Sequence, residues 1–163
     1  MDPTQSDIRQ RLHYDPETGV FTRIAAGSKS QARRVGEHPG TLNKANGYVQ
    51  FHACGGLQYA HRLAWIYMHG AIPNGVKIDH ANQCRHDNRL SNLRLASHAD
   101  NIRNCKVRTD NTSGVKGVHF DRSRGKWVAE VASRKLGRFD TMADAAAARR
   151  KAAADTFGAF ASE

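Results

Sequence analysis

The chain has 163 residues, of which 39% are hydrophobic, and this length suits one medium domain or two small ones. Twenty-five Lys and Arg residues against 15 Asp and Glu give a formal net charge of +10, which predicts a polyanionic partner, either nucleic acid or an anionic membrane. No apolar run approaches the roughly 18 residues of a membrane span, and no signal-peptide pattern opens the chain. Three cysteines without a CxxC pair argue against a disulfide framework, so we expect a soluble intracellular protein.

Two hairpins are predicted before the middle of the chain. In "YDPETGVFTR" (14–23), the turn residues Asp15, Pro16 and Gly19 separate two short strands. In "GYVQFHACGGLQYAH" (47–61), polar and apolar residues alternate around a Gly-Gly turn. Both segments therefore predict antiparallel pairs.

After these hairpins, the spacing of the apolar residues changes from that of strands to that of a helix. "HRLAWIYMHG" (61–70) has the apolar spacing of a short buried helix that ends at Gly70. "VKIDH" (76–80) predicts a short strand, and "SHADNIRN" (97–104) predicts a helix with Ser97 as its N-cap.

A polar segment, 106–113, predicts a linker. After it, "SGVKGVHF", "GKWVAEVA" and "KLGRFD" predict three strands, and the Ala-rich "TMADAAAARRKAAADTFG" predicts a helix capped by Thr141 and ended by Gly158. The C-terminal part is therefore expected to be a small α+β module of its own.

The segment 77–104 is crowded with Asn, His and Arg and has little hydrophobic mass. Asp79 and the amide oxygen of Asn101 can supply oxygen ligands to a hard divalent cation. His80 can accept a proton near neutral pH, provided that its ring is held in one tautomer, which an Asn amide can do. Phosphodiester cleavage needs such a base and such a cation. From the residues alone, a capped and solvated loop remains the plain alternative.

The segment "AHRLAWIYMHGAIPNGVKIDHANQCRHDNRLSNLRLASHADNIRN" (60–104) resembles the HNH endonucleases, in the branch found among phage and intron-encoded homing nucleases. With the strands before it, the resemblance extends over most of residues 12–105. It implies a ββα-metal fold in which Asp79 and Asn101 hold one divalent ion, Mg²⁺ or Mn²⁺. It also implies that His80 is the general base and that Asn92 orients it.

Other polar residues of the same segment have two interpretations each. Arg85, Arg89 and Arg94 lie where a scissile phosphate is expected, but they are equally suited to a solvated surface. Asn88 is expected to brace the loop. His61, at the start of a helix, is expected to pack on the sheet, although it could touch DNA. His86 is a possible alternative base.

The C-terminal module resembles the AP2 DNA-binding domain, through "SGVKGVHFDRSRGKWVAEV", "LGRFDT" and the Ala-rich helix. The resemblance implies a three-stranded sheet laid in the major groove. One departure is Lys135, which stands where plant members usually have a second Trp, so no sequence preference is carried over. Trp127 could instead belong to the core. The matching positions imply DNA contacts by Lys116, Arg122, Arg124, Lys126, Trp127 and Arg134.

The sequence therefore predicts an α+β protein with two domains. Residues 1–105 form an HNH nuclease domain, in which β-hairpins precede the ββα-metal module. A linker over 106–113 leads to an AP2-like domain over 114–163, a small three-stranded sheet with one helix. We expect a metal-dependent homing-type endonuclease that nicks one strand of double-stranded DNA per active site, leaving 5′-phosphate and 3′-hydroxyl ends. No small-molecule cofactor is expected, and the protein should be a monomer or a weak dimer in the cytoplasm, that of a bacterial host if it is phage-encoded. The alternatives are a DNA-binding regulator that has lost cleavage and, less favoured, an RNA-binding basic protein.

Overall fold

A computed structural model describes residues 2–26, 34–105, 107 and 109–161. The chain divides into two compact units, Met1–His98 and Ala99–Glu163. The sequence places residues 99–105 in the first domain, whereas this division groups them with the second. Of the predicted linker 106–113, Lys106 and Arg108 lie outside the described residues. Across the described segments, no helix has both the length and the apolar character that crossing a membrane requires.

The first unit is built from small antiparallel sheets and two helices. Strands β1 and β2 form a hairpin, β3, β4 and β5 form a sheet in that order, and β6 pairs with β7. Helix α1 begins at a capping box between Thr4 and Asp7. The elements are α1 (Gln5–Arg9), β1 (Leu12–Asp15), β2 (Val20–Arg23), β3 (Thr41–Leu42), β4 (Val49–Ala53), β5 (Gly56–Tyr59), α2 (Ala60–His69), β6 (Lys77–His80) and β7 (Leu93–Ala96).

One hydrophobic core joins these elements. Helix α2 contributes Leu63 and Ile66, and the β1–β2 hairpin contributes Tyr14 and Phe21, whose rings lie 4.9 Å apart. Burying each such side chain stabilises the fold by roughly 2 kcal/mol. The core also includes Ile78 of β6, so the strand that ends at His80 is anchored in it.

The second unit contains a three-stranded antiparallel sheet, in the order β10-β9-β8, packed against one long helix. Val118, Ala129 and Ala145 form one buried cluster between the sheet and the helix. The elements are α3 (His98–Arg103, nearly all in this unit), β8 (Val118–Asp121), β9 (Lys126–Val131), β10 (Arg134–Phe139) and α4 (Met142–Phe157). The mixed α+β class predicted from the sequence is thus confirmed.

Helix α4 begins as its sequence predicts. The Thr141 hydroxyl accepts a hydrogen bond from the Asp144 backbone N–H at 3.1 Å, and Gly158 ends the helix with a positive φ. Ala145 and Ala146 are buried, and because their side chains are short, the helix can pack close to the sheet.

Gly117 is the tightest backbone approach in the second unit. Its φ is +66°, and its carbonyl accepts a hydrogen bond from the Glu130 N–H at 2.8 Å. A Cβ at residue 117 would lie 2.2 Å from the Glu130 carbonyl oxygen. Both the backbone conformation and the lack of space therefore require glycine at this position.

We expect Gly117→Ala to destabilise the second unit by at least about 3 kcal/mol, because the added methyl group must push β9 away. Gly114→Ala is the matched control, since φ is +70° there and the added Cβ meets no atom within 4 Å. The control should cost only about 1 kcal/mol. Urea unfolding measures both, and equal losses would show that the close approach to Glu130 is absent in solution.

Candidate active site

Strand pairing brings Asp79 and His80 to the buried end of β6. In the antiparallel pair, Asp79 lies opposite Arg94 and His80 opposite Leu93. Asp79 is 5% exposed and His80 is 3% exposed. The carboxylate and the imidazole therefore share one buried strand end, and the Asp79 charge acts on the His80 ring.

The His80 ring is held by Asn88. His80 Nε2 lies 3.3 Å from Asn88 Oδ1, and both residues are buried. The Asn88 amide is oriented by a second bond, in which Nδ2 donates to the His86 carbonyl at 3.2 Å. An amide oxygen facing the ring requires Nε2 to carry the proton, so Nδ1 carries the lone pair.

The electrostatics keep this ring neutral. Burial lowers the pKa of His80, and the Asn88 hydrogen bond and the neighbouring Asp79 oppose the shift only in part. A lowered pKa means that the unprotonated ring dominates at neutral pH. His80 is therefore ready to accept a proton at Nδ1.

Asn92 braces the loop that carries Asn88. Its Oδ1 accepts a hydrogen bond from the Asn82 N–H at 2.9 Å, and its Nδ2 donates to the Asp87 carbonyl at 2.8 Å. The resemblance assigned the orienting contact with His80 to Asn92, but in the structure Asn88 makes it. The two Asn residues lie four apart in one polar loop, and nothing in their sequence spacing separates a ring contact from a loop brace.

The three arginines expected to contact phosphate all make intramolecular contacts. Arg89 donates to both carboxylate oxygens of Asp87, at 2.9 and 2.6 Å, and this pairing lowers the pKa of Asp87 far below its usual range. Arg85 donates to the Asn46 carbonyl at 2.9 Å. These contacts order the loop, while Arg85 and Arg89 remain exposed at its surface.

Asp79 is paired with the third arginine, Arg94. Arg94 Nε and Nη2 each lie 2.9 Å from Asp79 Oδ2. A cation bound to the Asp79 carboxylate would either share that carboxylate with the Arg94 guanidinium or displace the guanidinium. Asn101, the second predicted ligand, is half-buried on α3 in the second unit.

The donor set suits one hard cation that keeps most of its water. Over the described residues, no group of three His, Cys, Asp or Glu side chains could hold a metal ion. Mg²⁺ commonly uses only one or two carboxylates together with water and phosphate oxygens. A single buried carboxylate, Asp79, beside an imidazole therefore fits such an ion better than it fits zinc.

His80 belongs to a cluster of four rings, together with His61, Tyr48 and Tyr59. The His61 ring centroid lies 5.1 Å from that of His80 and 4.9 Å from that of Tyr48, with Tyr59 at 5.6 Å. His61 is 8% exposed, and its Nδ1 has no hydrogen-bond partner among the described residues. Burial, together with the nearby His80 and Arg62, lowers the pKa of His61 to about 3. His61 is therefore a neutral ring packed beside that of His80.

Of the residues predicted to contact DNA in the second unit, Lys116 and Trp127 make contacts within the unit and the others lie at its surface. Lys116 Nζ donates to the carbonyls of Arg103 and Cys105, so it satisfies the C-terminal end of α3. Trp127 packs on the core, with its ring 5.2 Å from Phe120, and this placement favours the core interpretation. The other positions are at the surface: Arg122 and Arg134 are exposed, Arg124 pairs with Asp121, and Lys126 pairs with Asp140.

Comparisons with known proteins find similarity in the middle of the chain. Residues 58–103 match the family model described as HNH endonuclease. Protein 3.8 of Escherichia phage T7 is 38% identical over 71 residues, which are 44% of this chain. The match covers 59% of that relative, so the chain spans little more than half of its length. No solved structure matches significantly. The segment around Asp79 and His80 is thus similar to an HNH endonuclease domain.

The buried neutral His61 predicts a pH-dependent stability. The unfolded chain binds a proton at this ring near its ordinary pKa of 6.5, and the folded chain only near 3. Below pH 6.5 the unfolded state therefore binds more protons, and this residue removes about 1.4 kcal/mol per pH unit as the pH falls toward 4.

Unfolding by urea at pH 4 to 7 measures this slope. We expect His61→Phe to show a shallower decline than the wild type, because the ring is kept and its titration is removed. His69→Phe, at an exposed position of the same helix, is the control and should keep the wild-type slope. Parallel slopes for the His61 variant and the wild type would refute a buried neutral His61.

Proposed function

We propose that the protein is a metal-dependent DNA endonuclease of the HNH type, of the homing kind, that nicks one strand per active site. The observation that carries the proposal is the buried His80, fixed by Asn88 in the tautomer of a general base beside the carboxylate of Asp79. Its position inside the segment that matches the HNH endonuclease family supports the same reaction.

His80 supplies the base of the proposed hydrolysis. Nδ1 takes a proton from a water molecule as the water oxygen bonds to phosphorus and the bond from phosphorus to the 3′ oxygen breaks. The departing oxygen takes a proton from solvent, so the products are a 5′-phosphate and a 3′-hydroxyl. The Asn88 contact keeps the imidazolium that forms in the same orientation.

A single divalent ion, Mg²⁺ or Mn²⁺, is part of the proposal. Asp79 and Asn101 would hold it, and it would supply positive charge for the pentavalent phosphate and the leaving oxygen. The general use of a divalent metal by HNH nucleases supports this assignment. Asn92 acts at a distance, because it braces the loop from which Asn88 reaches His80.

Double-stranded DNA is the proposed substrate. The net charge of +10 favours a polyanion, and binding should weaken steeply with salt as counterions compete. We assign an HNH domain to residues 1–105 and an AP2-like DNA-binding domain to residues 114–163, joined by the segment 106–113. The three-stranded sheet and the helix α4 packed against it support an AP2-like module, and the exposed Arg122 and Arg134 are the residues best placed to contact phosphate.

One observation favours a second candidate, a DNA-binding regulator without cleavage. Arg94 pairs with Asp79, and this puts a positive charge at the carboxylate that would hold the metal. If the pair persists when Mg²⁺ and DNA are present, no ion binds there. The two candidates therefore differ in whether the protein cuts DNA, while both predict DNA binding.

Cleavage of supercoiled plasmid DNA tests the proposal. With Mg²⁺ or Mn²⁺ the wild type should produce relaxed circles, and with EDTA it should not. His80→Ala should lower the rate by about a hundredfold or more, since it removes the base, while binding DNA with nearly unchanged affinity. His69→Ala, an exposed His→Ala change, is the control and should cut like the wild type. Equal cutting by His80→Ala would exclude His80 as the base, and a lack of cutting by the wild type on DNA of varied sequence would favour the regulator.

Two basic residues of the second unit, Arg134 and Lys116, are expected to differ in whether they contribute to DNA binding or to stability. Arg134→Ala should weaken DNA binding about fivefold and reduce the salt slope by about one ion, with unchanged stability, because Arg134 is exposed. Lys116→Ala should instead destabilise the unit by about 1 to 2 kcal/mol, because two carbonyls lose their donor. Fluorescence anisotropy and urea unfolding separate these effects, and loss of affinity without loss of stability in Lys116→Ala would contradict the capping role.

A further inference from the structure

The β1–β2 hairpin reaches the main chain at Asn88 through several contacts. The Tyr14 hydroxyl donates to the Asn88 carbonyl at 2.7 Å, across 74 residues of sequence. Two residues on, the Leu90 N–H donates to the Pro16 carbonyl at 2.9 Å. Both bonds join the hairpin to the segment that contains Asn88, whose side chain contacts His80.

The hairpin turn also packs backbone against backbone there. Gly19 has a φ of +74°, and a Cβ at this position would lie 2.5 Å from the Asn88 carbonyl carbon. No side chain fits between the turn and residue 88. The turn therefore limits where the main chain of Asn88 can lie.

Tyr14 is itself fixed. It is 1% exposed, and its ring packs between Phe21 at 4.9 Å and Tyr67 at 5.8 Å. Burial raises the pKa of Tyr14, so the hydroxyl keeps its proton and remains a donor. A rigid donor on a buried ring sets the position of its acceptor to within the tolerance of one hydrogen bond.

Asn88 links Tyr14 to His80. The carbonyl of Asn88 receives the Tyr14 hydroxyl, and the side-chain oxygen of the same residue contacts His80 Nε2. Displacing the main chain of Asn88 moves the oxygen that selects the His80 tautomer. A displacement near 1 Å is enough to slow an active site severely.

We propose that Tyr14 is a positioning residue of the active site, which acts through Asn88 to hold His80, and that the β1–β2 hairpin is a working part of the nuclease. The inference rests on the proposed nuclease function. The hairpin lies outside the segment, 58–103, that matches the HNH family. That segment alone therefore lacks the Tyr14 contact that positions Asn88 and, through it, His80.

The first test compares Tyr14→Phe with Tyr67→Phe. Each variant loses one hydroxyl, and the described hydrogen bonds include one from the Tyr14 hydroxyl and none from that of Tyr67. With DNA at saturation and at a temperature where all variants are folded, Tyr14→Phe should lower the single-turnover cleavage rate about tenfold. The Kd for DNA should change by less than about twofold. Tyr67→Phe should match the wild type in both quantities.

A double-mutant cycle separates positioning from general packing. In an Asn88→Ala background, Tyr14→Phe should lower the rate no further, because Tyr14 acts through the side chain that has been removed. The same tenfold loss in both backgrounds would overturn the proposal, and so would a Tyr14→Phe rate equal to that of the wild type. If Tyr14→Phe does not fold, Gly19→Ala takes its place in the cycle, since it displaces the same carbonyl without touching the hydroxyl.

A readout that does not need cleavage keeps the two proposals apart. Histidine ¹⁵N spectra should show shifted His80 ring signals in Tyr14→Phe and unshifted ones in Tyr67→Phe. If the wild type does not cut but this difference appears, the nuclease function fails while the Tyr14 contact stands. If the wild type cuts, His80→Ala does not, and the His80 signals are the same in both tyrosine variants, the positioning role fails alone.

Discussion

The contact between Asn88 Oδ1 and His80 Nε2 is the constraint on which the candidate site depends. It selects the tautomer, and therefore which nitrogen can accept a proton. Several neighbouring elements hold the two residues of this contact in place. The β6–β7 pair holds the His80 main chain, Asn92 closes the loop, and the β1–β2 hairpin fixes the Asn88 carbonyl. The loop between β6 and β7 has little hydrophobic mass because hydrogen bonds between its own polar groups determine its conformation.

The pair of Asp79 and Arg94 is where the two proposed functions differ. Asp79 is buried and paired with Arg94, and burying a carboxylate without a partner would cost several kcal/mol. The arginine therefore stabilises the protein before any cation binds. In a nuclease a metal would compete with this guanidinium for the carboxylate, and Arg94 would then be available for the phosphate contact first expected of it. In a regulator it would simply remain in place.

The sequence predicted the parts that depend on local pattern and left out those that depend on long-range contacts. The two hairpins, α2 and the capped α4 follow from turn residues, apolar spacing and N-caps, and each appears close to its predicted bounds. Strand β7 was not predicted, because four residues between polar segments carry little periodicity and gain their order by pairing with β6. The exchange of roles between Asn88 and Asn92, and the role of Tyr14, depend on partners far along the chain. Lys116 looked like a DNA contact because its bonds to main-chain carbonyls leave no trace in sequence.

Selective broadening of histidine signals by Mn²⁺ tests whether Asp79 and His80 belong to one metal-dependent centre. Substoichiometric Mn²⁺ should broaden the His80 ring resonances before those of the exposed His69, in the wild type and not in Asp79→Asn. His80 signals that stay sharp, or that broaden equally in both proteins, would contradict a metal site at Asp79.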